Sequence, residues 1–154
     1  MAGRTYRYMA EPPLYPFGFG LSYTRFEYGR IEMAAGPFAM GEPVSFTLTV
    51  RNVGDVLGDE PVQVYVKHPD GDAPSPKYSL IDVHPVRLDP GVEKRLSFTL
   101  DPQALQAVDA DGGRRQRPGE YQVWVGGASP CPRAIELGAS PLAHAVFHVA
   151  DSSA

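Results

Sequence analysis

The sequence predicts an all-β domain: an antiparallel sandwich of about seven short strands behind an extended, aromatic-rich leader. Three observations predict it. Apolar and polar residues alternate in one short stretch after another, turn residues recur at roughly 8–12-residue spacing, and runs with helical period are almost absent. The 154 residues suffice for one ordinary domain, which buries roughly 68–70% of the surface its unfolded chain exposes. Glycine and proline number 16 each, short of the ~25–30% share that marks a disordered low-complexity chain. The expectation is a folded domain rich in loops.

The leader centres on Leu14 to Thr24, LYPFGFGLSYT, entered through Pro12 and Pro13. Tyr15, Phe17, Phe19, Leu21 and Tyr23 occupy every second position, which suits one buried face of a strand. Pro16, Gly18 and Gly20 argue against a regular strand, because proline lacks the ladder donor and glycine weakens strand interiors. The stretch reads as an irregular ribbon whose rings need a surface, part of it outside this chain. Residues 1–23 are assigned to the leader, 24–150 to the sandwich and 151–154 to a frayed tail.

From Thr24 onward the strands follow in order. Phe26 and Tyr28 share one parity, Ile31 and Met33 the other, and Gly29 sits at the switch as a β-bulge requires. Val44, Phe46, Leu48 and Val50 alternate with Ser45, Thr47, Thr49 and Arg51, the clearest half-buried strand. Beyond the turn residues at 52–59, Val62, Val64 and Val66 alternate with Gln63, Tyr65 and Lys67. His68 to Pro76 is too proline-dense for regular structure. Residues 80–88 are apolar but poorly periodic and contain Pro85, which points to an edge strand or crossover. After the turn Asp89-Pro90-Gly91, Leu96, Phe98 and Leu100 define another strand. Asp101 to Leu105 reads as a short helical turn, with Asp101 as N-cap and Pro102 at the first helical position; it is the only helix expected. Arg114 to Arg117 is expected to be exposed. In the next strand Tyr121, Val123 and Val125 face one way, Gln122 and Trp124 the other. Ala128 to Pro141 reads as turns, and a last strand runs from about Leu142 to Val149. This pattern is that of an immunoglobulin or fibronectin type III sandwich.

Composition and motifs exclude several kinds of chemistry. The chain has 14 basic and 18 acidic residues with no basic block, so nucleic acid is not expected as a partner. No apolar run approaches the ~18–20 residues of a membrane span and MAGRTYRY lacks a signal-peptide core, so a soluble chain without membrane contact is expected. Cys131, the lone cysteine, permits no internal disulfide. His144 and His148 lie roughly 13 Å apart on a strand, too far to share one metal ion. Asp109-x-Asp111-x-Gly113 lacks the glycine and glutamate of a calcium loop and reads as a hairpin turn. Gly18-Phe19-Gly20 lacks the third glycine and the strand-helix setting of a dinucleotide loop. No metal, cofactor or catalytic residue is assigned. Tyr65 and Trp124 fall on the parity opposite the valines of their strands, which faces solvent or a partner. There they could stack on sugar rings, with ordinary cross-strand packing as the competing reading.

PLYPFGFGLSYTRFEY, Pro13 to Tyr28, resembles the junction that introduces the C-terminal fibronectin type III-like domain of glycoside hydrolase family 3, the β-glucosidases and β-xylosidases. The segments Val50 to Asp55, Gly58 to Val66, Leu88 to Leu100 and Pro118 to Gly127 resemble the same domain, and Gly3 to Tyr8 the piece just upstream. Residues 77–88, with Pro85, depart from the family pattern. In that family the nucleophilic aspartate sits in a barrel domain and the acid/base glutamate in a following α/β domain. Neither motif occurs here, so the resemblance carries over no catalytic residue. It implies a non-catalytic accessory module, not itself an enzyme, of a parent glycosidase that hydrolyses O-glycosyl bonds. Its partners would be the barrel and α/β domains, met through Tyr6, Tyr8, Tyr15, Phe17, Phe19, Leu21 and Tyr23. If that half is absent, some of the rings are expected to sit exposed or fold back. The alternative is a carbohydrate-binding module that holds polymeric glycan through Tyr65, Tyr78 and Trp124.

Overall fold

The computed structural model describes residues 11, 13–20, 22–70 and 76–151. Tyr6, Tyr8, Leu21 and the tail beyond Asp151 lie outside them.

Alternation becomes two facing sheets. In the first, β3 (Val44–Asn52) pairs along one edge with β6 (Glu93–Leu100). Its other edge takes both β1 (Phe26–Tyr28) and β2 (Glu32–Met33). Tyr28 stands opposite Val50 and Glu32 opposite Thr47, so four steps on one side match three on the other. That is a β-bulge, placed where Gly29 predicts it, and the Gly29 N–H donates to the Thr49 carbonyl at 2.8 Å. The second sheet runs in the order β10 (Ala143–Val149), β9 (Gly119–Gly126), β4 (Gly58–Lys67), β5 (Ser79–Leu88). With β1 and β2 counted as one interrupted strand, the two sheets hold three and four strands, the seven expected. A small hairpin, β7 (Gln106–Val108) with β8 (Arg114–Gln116), stands apart.

The core lies between the sheets. Val44, Phe46, Leu48 and Val50 meet Val62, Val64 and Val66 of β4 and Tyr121, Val123 and Val125 of β9, all buried. Phe46 stacks on Phe98 with centroids 5.4 Å apart, and Tyr121 on Phe147 at 5.3 Å. Each such side chain contributes about 1.5–3 kcal/mol on burial. The Tyr121 hydroxyl donates to the carbonyls of Arg117 (2.8 Å) and Leu105 (3.1 Å), the corner tie of sandwiches of this class.

Four expectations are corrected or refined. Residues 101–105 form successive i→i+3 bonds, from Ala104, Leu105 and Gln106 back to Asp101, Pro102 and Gln103, not an α-helix. So short a segment gains too few bonds to offset helix nucleation. The helix is instead α1 (Pro132–Glu136), inside the stretch read as turns. Its end is a Schellman cap: Ala139 N–H donates to the Ala134 carbonyl and Gly138 N–H to that of Ile135, with Gly138 at φ +98°. Arg117 is not exposed, for its guanidinium folds onto Asp109 at 2.5 Å. Residues 79–88, most of them read as an edge strand or crossover, form a full edge strand in which Pro85 faces Pro61.

Candidate interdomain docking face

The leader lies across the outer side of the second sheet and is pinned there through its backbone. Pro16 to Phe19 make a turn closed by Phe19 N–H on the Pro16 carbonyl at 3.1 Å, with Gly18 at φ +76°. Glycine is needed there twice over. The left-handed conformation strains other residues, and a Cβ would sit 2.3 Å from Nε2 of Gln63. Gln63 is itself buried; its Nε2 donates to the Gly127 carbonyl (2.9 Å) and its Oε1 accepts from the Tyr65 hydroxyl (2.5 Å). The Phe17 carbonyl accepts from Ser129 N–H at 3.0 Å.

The far end of the leader is fastened by Asn52, which is fully buried. Its Oδ1 accepts from Thr24 Oγ1 (2.6 Å) and Gly54 N–H (3.0 Å), while Nδ2 donates to the carbonyls of Val56 (2.8 Å) and Leu88 (2.9 Å). One side chain thus joins the leader, the loop after β3 and the end of β5. As the sole asparagine it was visible in the sequence, but its reach across three segments was not.

Before and between these pins side chains turn outward. Leu14 is 81% exposed, Tyr15 72%, Phe17 48% and Tyr23 101%, while Phe19 is half-buried and lies 6.4 Å from Tyr15. Leu57, also exposed, flanks Tyr23 across a cleft of about 320 Å³. The floor of this cleft includes Glu60, which also lines a neighbouring cleft of about 200 Å³ with Gly20, Ser22 and Gly127. The Tyr28 hydroxyl donates to Glu60. Burial pushes the Glu60 carboxyl above its ordinary range, an effect the Tyr28 bond partly opposes. Burial first, then the Glu60 charge and the bond, raise Tyr28.

The proposed sugar contacts do not form an open row. Tyr65 lies on the outward parity but is 0% exposed, a correction to the expectation of a ring open to sugar. Its ring meets the edge of Tyr78 at 5.7 Å, and its hydroxyl is held by Gln63 beneath the leader turn. Trp124 is half-buried and stacked on His144 at 4.9 Å. His144 and His148 both sit on β10, on its outward parity. Asp109 to Gly113 is a hairpin turn whose carboxylates pair with Arg115 and Arg117.

A family model described as fibronectin type III-like domain matches residues 60–129. A β-xylosidase of Formosa agariphila is 36% identical over 126 residues, which make up 80% of this chain and 17% of that protein. The thermostable β-glucosidase B of Acetivibrio thermocellus is 36% identical over 118 residues, 76% of this chain and 16% of that one. Among solved structures, a β-glucosidase from Listeria innocua in complex with laminaribiose superposes with a TM-score of 0.78 at 27% identity, covering 94% of this chain and 19% of that chain. The chain spans about one-sixth of the length of the curated relatives it matches. It is a fibronectin type III-like domain, akin to the one carried by β-glucosidases and β-xylosidases of glycoside hydrolase family 3.

Proposed function

We propose that this chain is a non-catalytic accessory domain of a family 3 β-glycosidase, packing on the barrel and α/β domains and stabilising them. The parent hydrolyses O-glycosyl bonds in carbohydrate metabolism. One observation carries the reading: the leader backbone is fixed to the sandwich while Leu14, Tyr15, Phe17 and Tyr23 point away from it. A soluble surface rarely gathers large side chains as exposed as Leu14, Tyr15 and Tyr23 on one short segment. Covering each ring is worth about 1.5–3 kcal/mol, and a leader already in place loses little further entropy on docking.

The test uses the catalytic portion of the parent glycosidase prepared without this domain. Adding the chain in trans should raise its melting temperature and preserve its activity on nitrophenyl glycosides. A Tyr15→Ser/Phe17→Ser/Tyr23→Ser variant, with its own melting temperature unchanged, should fail to do so. A catalytic portion equally stable and active with or without the chain would sink the reading.

A further inference from the structure

The second sheet ends at β10, and the outer edge of that strand is open. Phe38 N–H donates to the His148 carbonyl and Ala150 N–H to the Phe38 carbonyl, both at 2.8 Å, so residues 148 and 150 turn their main-chain groups outward. The two-residue period of a strand puts those of His144 and Val146 on the same side. Among the described residues nothing pairs with them, because β9 is the strand partner of β10 along its other edge. Beside this edge runs a groove of about 920 Å³ between the two sheets, with Ile31, Met33, Ala145 and Phe147 in its lining and Arg30 and Glu32 on its rim.

Exposed edges are ordinarily blunted by lysine, proline, a bulge or a covering segment. Residues 143–149, AHAVFHV, contain none of the first two, pair with β9 without interruption, and are capped only at Phe38. We propose that a second copy of this chain covers the edge, adding its own β10 antiparallel so that the two second sheets become continuous. An antiparallel strand pair of identical chains is closed by a twofold axis. With the axis at Ala145, His144 of one copy faces Val146 of the other, and each exchanges N–H and carbonyl bonds with its mate before Phe38 ends the ladder. Charge favours the same occupant. The chain carries net charge −4, yet positions 143–149 hold no Asp, Glu, Lys or Arg, so the edge does not repel its copy. Val146, 45% exposed, is covered by the pairing. This interface is separate from the leader face.

Sedimentation of the chain over a wide concentration range tests it. Val146→Pro removes one outward N–H and leaves the pairing with β9 intact, and should weaken dimerisation about tenfold or more with the melting temperature little changed. Val146→Lys, which keeps the N–H but sets like charges together, should do the same and decides the matter should the proline variant not fold. A wild-type chain that stays monomeric throughout overturns the proposal. So does a dimer that survives both substitutions but is lost in the Tyr15→Ser/Phe17→Ser/Tyr23→Ser variant, since association then runs through the leader.

Discussion

Aromatic residues take most alternate positions of the leader and single places in the apolar alternation of the sandwich strands, yet they end in opposite places. Phe46, Phe98, Tyr121 and Phe147 are buried between the sheets, paired at 5.3–5.4 Å. Tyr15 and Phe19 approach only to 6.4 Å, and Tyr15 and Tyr23 stand in solvent. Periodicity sets which way side chains point. Whether they are buried depends on a second layer, which the sandwich supplies from its own strands and the leader does not. The leader is instead held by polar and backbone contacts, through Gly18 on Gln63, Phe17 on Ser129 and Thr24 on Asn52. The exposed side chains of Leu14, Tyr15 and Tyr23 contribute little to the stability of the isolated chain.

The largest way to break this contrast is to empty the core side. Phe98→Ala removes a ring packed against Phe46 and edge-on to His84 and should cost about 3–5 kcal/mol, read as a fall in the urea midpoint. Equal truncation at Tyr23 should stay within about 0.5 kcal/mol. A comparable loss at both positions would mean that the leader belongs to the same cooperative core.

This division sets what was legible in the sequence. Strands β3, β4, β6, β9 and β10 follow from alternation, and the bulge at Gly29 from its change of parity, because one face of each is buried against the same core. Tyr65 shows the limit. Its parity places it on the outer face, but the leader turn and Tyr78 close over that face, and such coverage is a tertiary fact with no local signal. Asn52 is of the same kind, since its partners lie at Thr24, Val56 and Leu88. For α1 the signal was present: Pro132 opens it and Gly138 ends it, the usual asymmetry of helix termini. It was masked by the surrounding turn residues and by Cys131, an N-cap without a side-chain bond.

A smaller and more local effect is expected at the pin itself. Gly18→Ala meets a left-handed backbone, about 1–2 kcal/mol unfavourable, and sets a methyl against the Gln63 amide, so the leader turn must lift away while Gln63 keeps its bond to the Gly127 carbonyl. The cost should fall on the leader alone. Chymotryptic cleavage at Tyr15 to Tyr23 should quicken about tenfold, as a loss of ~1.4 kcal/mol in a locally opening segment implies, while the melting temperature of the sandwich barely moves. Unchanged cleavage would show that the pin at Gly18 does not order the leader.

The least effect is expected at the seam, where Glu60 lies beneath Gly20 and Ser22. Burial raises its pKa above the ordinary 4.5, so the folded chain holds this proton more tightly than the unfolded one. Stability from this group is therefore greatest below the ordinary value and declines as pH rises through the raised one. Glu60→Gln can still accept the Tyr28 hydroxyl but has no charge to bury, and should remove that decline. Urea midpoints taken on both proteins across this window decide it: parallel curves would mean that water reaches the Glu60 carboxylate freely. Converging curves at the acid end, with the wild type falling below the variant as pH rises, would mark the leader as a lid that keeps the seam partly dry.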